Sequence, residues 1–106
     1  MRKISIKKWK ATDNTGKEVE ENTLIMLNAL LLNKKPDELP KGLDKFRLFN
    51  RIGKAFDIAE KTNELILEEA DYLFLKGAIE KDIPSVWGLN KNILKAIDEF
   101  LNAKEE

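Results

Sequence analysis

The chain opens on period-two alternation. Lys3-Ile4-Ser5-Ile6-Lys7 puts its apolar residues on one side, the pattern of a strand with one buried face. Trp9 and Ala11 fall out of phase with Ile4 and Ile6, and a bulge near Lys7-Lys8 returns all four to one face. Asp13-Asn14-Thr15-Gly16 supplies a turn, with Gly16 suited to positive φ, and Lys17-Glu18-Val19-Glu20 leads back. Residues 3–21 are therefore predicted to form a β-hairpin. Two strands alone are marginal, so the hairpin needs helices or a third strand beside it.

From Leu24 the period becomes helical. Asn22 or Thr23 caps a helix whose body, Leu24–Leu32, is apolar on nearly every side except at Asn28. Such a helix is either the central core element or meets another molecule with part of its surface. Lys34-Lys35-Pro36 ends it, and residues 36–42 connect the two halves of one domain. Leu43–Thr62 carries the clearest pattern in the chain. Phe46, Phe49, Ile52, Gly53, Phe56 and Ala59 recur at spacings of three and four, and Leu48 and Ala55 widen the stripe. Each phenylalanine can bury on the order of 150 Å².

Asn63 closes that helix. Leu65-Ile66-Leu67 reads as a short strand joining the hairpin, or as an apolar connector. A third helix runs from the acids at Glu68-Glu69-Ala70-Asp71 to about Lys81, and Ile83-Pro84 stops it. Tyr72, Leu75 and Ile79 share one line of it, and Leu73, Phe74, Gly77 and Ala78 another. Ser85–Leu89 is a turn whose Trp87 plugs the end of a helical core, with ligand stacking as its other reading. Asn90 or Lys91 opens a fourth helix with the stripe Ile93, Leu94, Ile97, Phe100 and Leu101, before Lys104-Glu105-Glu106 frays.

The expected fold class is α+β, mainly helical. It is a single domain over 1–106, with the hairpin at 3–21 and a helical region at 22–103. Four helices pack around Phe46, Phe49, Phe56, Leu27, Leu31 and Ile97, with 65–67 as a candidate third strand.

Composition narrows the chemistry. The 106 residues include no His and no Cys, which removes imidazole acid–base catalysis, thiol nucleophiles, Cys-based zinc sites and disulfides. The serines are Ser5 and Ser85, and without His neither can belong to a Ser-His-Asp triad. The acids Glu60, Glu64, Glu68, Glu69 and Asp71 straddle a helix boundary without the spacing of a calcium loop, and helix capping explains most of them. A carboxylate enzyme would need a cleft joining Asp57, Glu60, Glu64 or Asp71. Gly53-Lys54 is not a phosphate loop, because Leu48 and Ala55 stand where Gly and Ser or Thr are needed. Gly53 reads instead as a small residue permitting close helix packing. No catalytic residue, metal ligand or cofactor is expected.

The formal charge is zero from 19 basic and 19 acidic residues, yet residues 1–53 carry +5 and residues 54–106 carry −5. Such a dipolar chain pairs its halves within one fold or head-to-tail between copies. Two basic groups stand out. Arg47, Arg51 and Lys54, with Asn50 nearby, share a helix face opposite the phenylalanines and could seat an acidic partner surface or a nucleic acid; the alternative is a solvated face tied to the acidic half. Lys7, Lys8 and Lys10 beside Trp9 could grip a phosphate backbone and stack a base. Alternatively, the lysines guard a sheet edge while Trp9 packs inward. Met1–Lys10 lacks the apolar core of a signal peptide, and no run approaches the roughly 20 apolar residues of a membrane span, so a cytoplasmic location is expected.

Lys-Gly-Leu-Asp-Lys-Phe-Arg-Leu-Phe-Asn-Arg (41–51) and Leu-Glu-Glu-Ala-Asp-Tyr-Leu-Phe-Leu-Lys (67–76), about a fifth of a short chain, resemble small, mostly helical accessory proteins of bacteriophage and prophage genomes. The resemblance implies non-enzymatic binding, in virion assembly or interference with a host protein, and carries no functional residue with it.

The function expected is protein–protein interaction without catalysis, with self-association through helix one and part of helix three. Arg47, Asn50, Arg51, Lys54, Leu31 and Leu32 are the candidate partner-binding residues. Homo-oligomer, host protein and virion protein are the candidate partners. The alternative is nucleic-acid binding through Lys7, Lys8, Trp9, Lys10, Arg47, Arg51 and Lys54.

Overall fold

The computed structural model describes residues 1–12, 15–32, 41–83, 87–88 and 90–104, with the backbone only at Asp82. In chain order the elements are β1 (Arg2–Ser5), β2 (Lys8–Thr12), β3 (Glu18–Asn22), α1 (Thr23–Leu32), α2 (Leu43–Thr62), β4 (Glu64–Leu67), α3 (Glu69–Asp82) and α4 (Lys91–Leu101). The protein is α+β and mainly helical, with its strands concentrated at the N-terminus. Asp13 and Asn14 of the expected turn, residues 33–40, 84–86, 89 and 105–106 lie outside the described residues.

The N-terminal segment is one strand in sequence but two in space. β1 pairs antiparallel with β4, Ile4 facing Leu65, while β2 pairs antiparallel with β3, Trp9 facing Glu21. The chain breaks at Ile6-Lys7, where the expected bulge stands, and the break ends the sheet. The expected hairpin is present over 8–22 as β2 and β3, and the candidate strand at 65–67 forms as β4, but residues 2–5 leave the hairpin to pair with it in a second two-stranded sheet. The phase prediction survives the change. Ile4 and Trp9 are buried, and Ile6 and Ala11 pack partly buried against the core.

Backbone hydrogen bonding fixes this break. Thr23 Oγ1 accepts from Lys7 N–H at 2.9 Å, and Thr23 N–H donates to the Lys7 carbonyl at 3.1 Å. Ile6 N–H donates to the Asn63 carbonyl at 3.0 Å. Asn22 caps α1 by accepting from Ile25 N–H at 2.9 Å, leaving Thr23 to serve the strand. Asn63 ends α2 in the left-handed region, at φ 62°, and donates its N–H to the Ala59 carbonyl at 2.8 Å. Asn is among the few residues that enter this region at little cost.

α1 lies against α3, α4 and β3. It buries Leu24, Met26, Leu27 and Leu30, yet Ile25 and Leu32 stay exposed, so the helix is not buried all round. Leu27, Leu30, Leu65 and Leu75 are all fully buried. Complete burial stabilises by about 1.5–3 kcal/mol per such side chain. Leu27 and Ile97 take their expected core positions; the phenylalanines of α2 do not. α2 buries Leu48, Ile52 and Ala59 instead, leaving Phe46 at 70% exposure and Phe49, Phe56 and Leu31 half-buried at the core's edge. Phe46 lies roughly 120° around the helix from Ile52, so both cannot face one core.

Arg2 closes the fold. Its guanidinium bonds both Glu69 carboxylate oxygens at 2.8 Å, donates to the Ala103 carbonyl at 2.7 Å and lies 4.6 Å from the centre of the Tyr72 ring. The Arg2 hydrogen bonds hold the Glu69 carboxyl below its ordinary range. The Tyr72 ring stacks on Phe100 at 4.8 Å, and its hydroxyl donates to the Phe100 carbonyl at 2.8 Å. Burial pushes the Tyr72 phenol above its ordinary value, an effect that Arg2 partly offsets.

Because the folded phenol has the raised pKa, its stabilising contribution is complete below about pH 10 and is lost as pH rises through the folded value. Tyr72 is the one tyrosine, so tyrosinate absorbance reports it alone. The absorbance should rise above the ordinary phenol range and together with unfolding. Y72F should remove that part of the alkaline loss and cost about 1 kcal/mol at neutral pH in urea unfolding. Titration near 10 with the fold intact would contradict the burial argument.

Candidate functional site

α2 is held from one side, through its contacts with β4 and α3. Its opposite flank faces the end of α1 across an open groove of about 370 Å³. Leu31 and Leu32 of α1 line one wall, and Phe49, Ile52, Gly53 and Phe56 of α2 the other, with Asn28 and Lys45 as the polar members. Leu32 of its wall is 78% exposed, and elsewhere along the first turns of α2 Phe46 is 70% and Leu43 69% exposed. Phe46 stands one turn before Phe49 and next in sequence to Lys45 of the lining, so it borders the groove, whereas Leu43 lies roughly 120° around the helix from Phe49. An added Cβ at Gly53 would meet nothing within 4 Å, so this glycine opens the groove rather than permitting close helix packing.

The expected partner-binding residues divide between two flanks of α2. Leu31 and Leu32 lie in the groove. Arg47, Asn50, Arg51 and Lys54 are exposed on other faces of the helix, with Arg51 and Lys54 bordering β4 and Arg47 bordering α3. Arg51 meets the buried Asp71 carboxylate in a two-pronged pair, its Nη2 and Nε donating at 2.8 and 3.0 Å. The reading of this face as tied to the acidic half therefore holds at Arg51. Sequence reasoning missed Phe49, Phe56, Gly53 and Lys45 as groove residues. Period places Phe49, Gly53 and Phe56 in one broad stripe with Ile52 and Ala59, and the rotation of α2 divides that stripe, with Leu48, Ile52 and Ala59 in the core and Phe49, Gly53 and Phe56 along the groove.

The lysine-rich segment is distributed differently from a stacking platform. Trp9 is buried, and its indole N–H donates to Glu21 Oε2 at 3.2 Å. Lys10 pairs with Glu18 at 3.1 Å, and Lys7 approaches Glu99 at 4.0 Å. Lys7, Lys8 and Trp9 border α4, apart from the α2 basic residues that border β4 and α3.

The acids at the start of α3 serve cross-element ion pairs rather than caps. Glu68 makes no side-chain capping bond, Glu69 holds Arg2, and Asp71 holds Arg51. Among the described residues, no group of three or more acids is placed to hold a metal ion, and no helix is long and apolar enough to cross a membrane.

Comparison of the chain with protein-family models, with curated proteins and with solved structures returns no match. The geometry of the side chains is therefore what bears on function.

The Arg51–Asp71 pair is asymmetric, with side-chain exposures of 44% and 4%. Removing the arginine strands a buried carboxylate, whereas removing both charges leaves neither unpaired. R51M should lower the urea midpoint, and adding D71N to it should recover part of the loss. A double variant less stable than R51M alone would show that the pair is not what accommodates Asp71.

Proposed function

We propose that this protein is a non-catalytic interaction protein that self-associates through the apolar face shared by α1 and α2. One observation carries the reading: the groove lined by Leu31, Leu32, Phe49 and Phe56 has Leu32 in its own wall at 78% exposure, and Phe46, next in sequence to Lys45 of the lining, is 70% exposed. Contiguous apolar surface of this kind marks interaction sites. The face holds both a hollow and the side chains that could fill one. A second copy related by a two-fold axis is thus self-complementary: Phe46 or Leu32 of each copy enters the groove of the other. The dipolar charge distribution, +5 in the first half and −5 in the second, disfavours no antiparallel approach.

Further partners belong to the same proposal. In the phage setting that the sequence resemblance implies, a self-associating helical protein would serve virion assembly or interference with a host protein. The nucleic-acid reading has less support, because Trp9 is buried and Arg51, Lys10 and Lys7 each lie against a carboxylate. Phosphate binding would have to displace these acids.

Sedimentation velocity across a concentration series is the test. Wild type should sediment as a reversible dimer, and L32E and F46E should each shift it to monomer. Both sites are exposed, so melting of the monomer should change by no more than about 0.5 kcal/mol. A strict wild-type monomer at the highest attainable concentration would overturn the reading, as would dimers indifferent to both substitutions.

A further inference from the structure

On the other flank of α1, β2, β3 and the start of α4 enclose a second cleft, of about 380 Å³. The two tryptophans of the chain, Trp9 and Trp87, both line it. Ile25, Met26 and Ile93 complete an apolar wall, and Glu21 is the one charged residue among its described lining. Trp9 is 8% exposed and Trp87 half-buried, so the two rings lie at different depths. Glu21 is set on β3 directly across from Trp9. Its Oε2 takes the Trp9 indole N–H at 3.2 Å. Its Oε1 has no partner among the described residues, and no described cation pairs with this carboxylate.

We infer that this cleft binds an organic cation, with the Glu21 carboxylate and the indole rings facing the charge and Ile25, Met26 and Ile93 facing its apolar body. Indole attracts cations most strongly of the side-chain rings, and the attraction grows as water is excluded. A neutral ligand would leave the Glu21 charge unmatched in a cleft whose other polar members, Thr12 and Asn90, are neutral, and an anion would be repelled. The N-terminus of α4 acts in the opposite sense, since helix starts carry about half a positive charge. Asn90 blunts it by accepting from Asn92 N–H at 2.9 Å and Ile93 N–H at 3.2 Å, and a full carboxylate outweighs what remains. The cleft is large enough for a small arylammonium or the end of a lysine side chain.

Tryptophan fluorescence of the full chain tests this directly, because both emitters line the site. Benzyltrimethylammonium is titrated against benzyl alcohol, a neutral molecule with a similar apolar body. The expected result is a saturable change with the cation and none with the alcohol. E21Q keeps an oxygen for the Trp9 N–H and removes the charge; it should retain the melting temperature and weaken binding about tenfold or more. W87L, with Trp9 still reporting, should also weaken it. Nα-acetyl-lysine amide is titrated alongside: tighter binding than the arylammonium assigns the cleft to a protein side chain, weaker binding to a free small molecule. An equal response to the alcohol, or unchanged affinity in folded E21Q and W87L, overturns the inference.

Discussion

Everything in this fold hangs on how Thr23 holds Lys7. One side chain and one backbone N–H of Thr23 satisfy the N–H and carbonyl of the same residue, while Ile6 is tied to Asn63 at the end of α2. The chain cannot continue as one strand when its ladder partners are taken in this way. It turns between sheets, and the turn brings the first residue of α1 and the last turn of α2 to a single point. Thr23 is fully buried, so its hydroxyl must have a partner, and a missing one would cost on the order of 1–3 kcal/mol. The junction thus specifies geometry as well as adding stability.

Arg2 completes what the junction begins. β1 carries it to the start of α3 and the end of α4, where it meets Glu69, Ala103 and the Tyr72 ring. The first sheet therefore binds α2 through β4 and binds α3 and α4 through Arg2. α2 gains its attachment from β4, α3 and the Arg51–Asp71 pair, all on one side. Its phenylalanine flank is left to define a groove with α1 instead of joining the core.

This explains what could and could not be read beforehand. The bounds of α2 and its end at Asn63 were legible because helical period and left-handed capping are local properties. The core positions Leu27 and Ile97, and Phe100 in the apolar stripe of α4, were legible for the same reason. On α3 the period left two lines open, and it is the line of Tyr72, Leu75 and Ile79 that is buried. Strand partners were not: Ile4 and Leu65 each show that one face is buried, and neither says against which strand. α2 carries two apolar stripes, one through Phe46, Phe49 and Phe56 and one through Leu48, Ile52 and Ala59. Period alone merges them into one, and ring size puts the phenylalanines in the core, but the position of β4 after Asn63 buries the second. Leu31 and Leu32 were visible as surplus apolar surface on α1, whereas the side chains that face them required the helix rotation to be known. The pairing of Trp9 with Glu21 depends on strand register, which a charged, turn-connected segment leaves open.

α1 is the element both surfaces share, and its rotation separates them. Ile25, Met26 and Ala29 line the tryptophan cleft, Asn28, Leu31 and Leu32 line the groove, and Leu27 and Leu30 fill the core between. A helix of 10 residues is short, so all three roles fall within about three turns. Only a nearly all-apolar sequence can meet three apolar environments on three sides. The composition that first suggested a wholly buried helix is therefore what a shared wall requires. Asn28 and the exposed Ile25 mark the strip where the environments meet water. Any change that rotates α1 trades exposure on one flank for burial on the other, and the fully buried Leu27 and Leu30 resist that rotation.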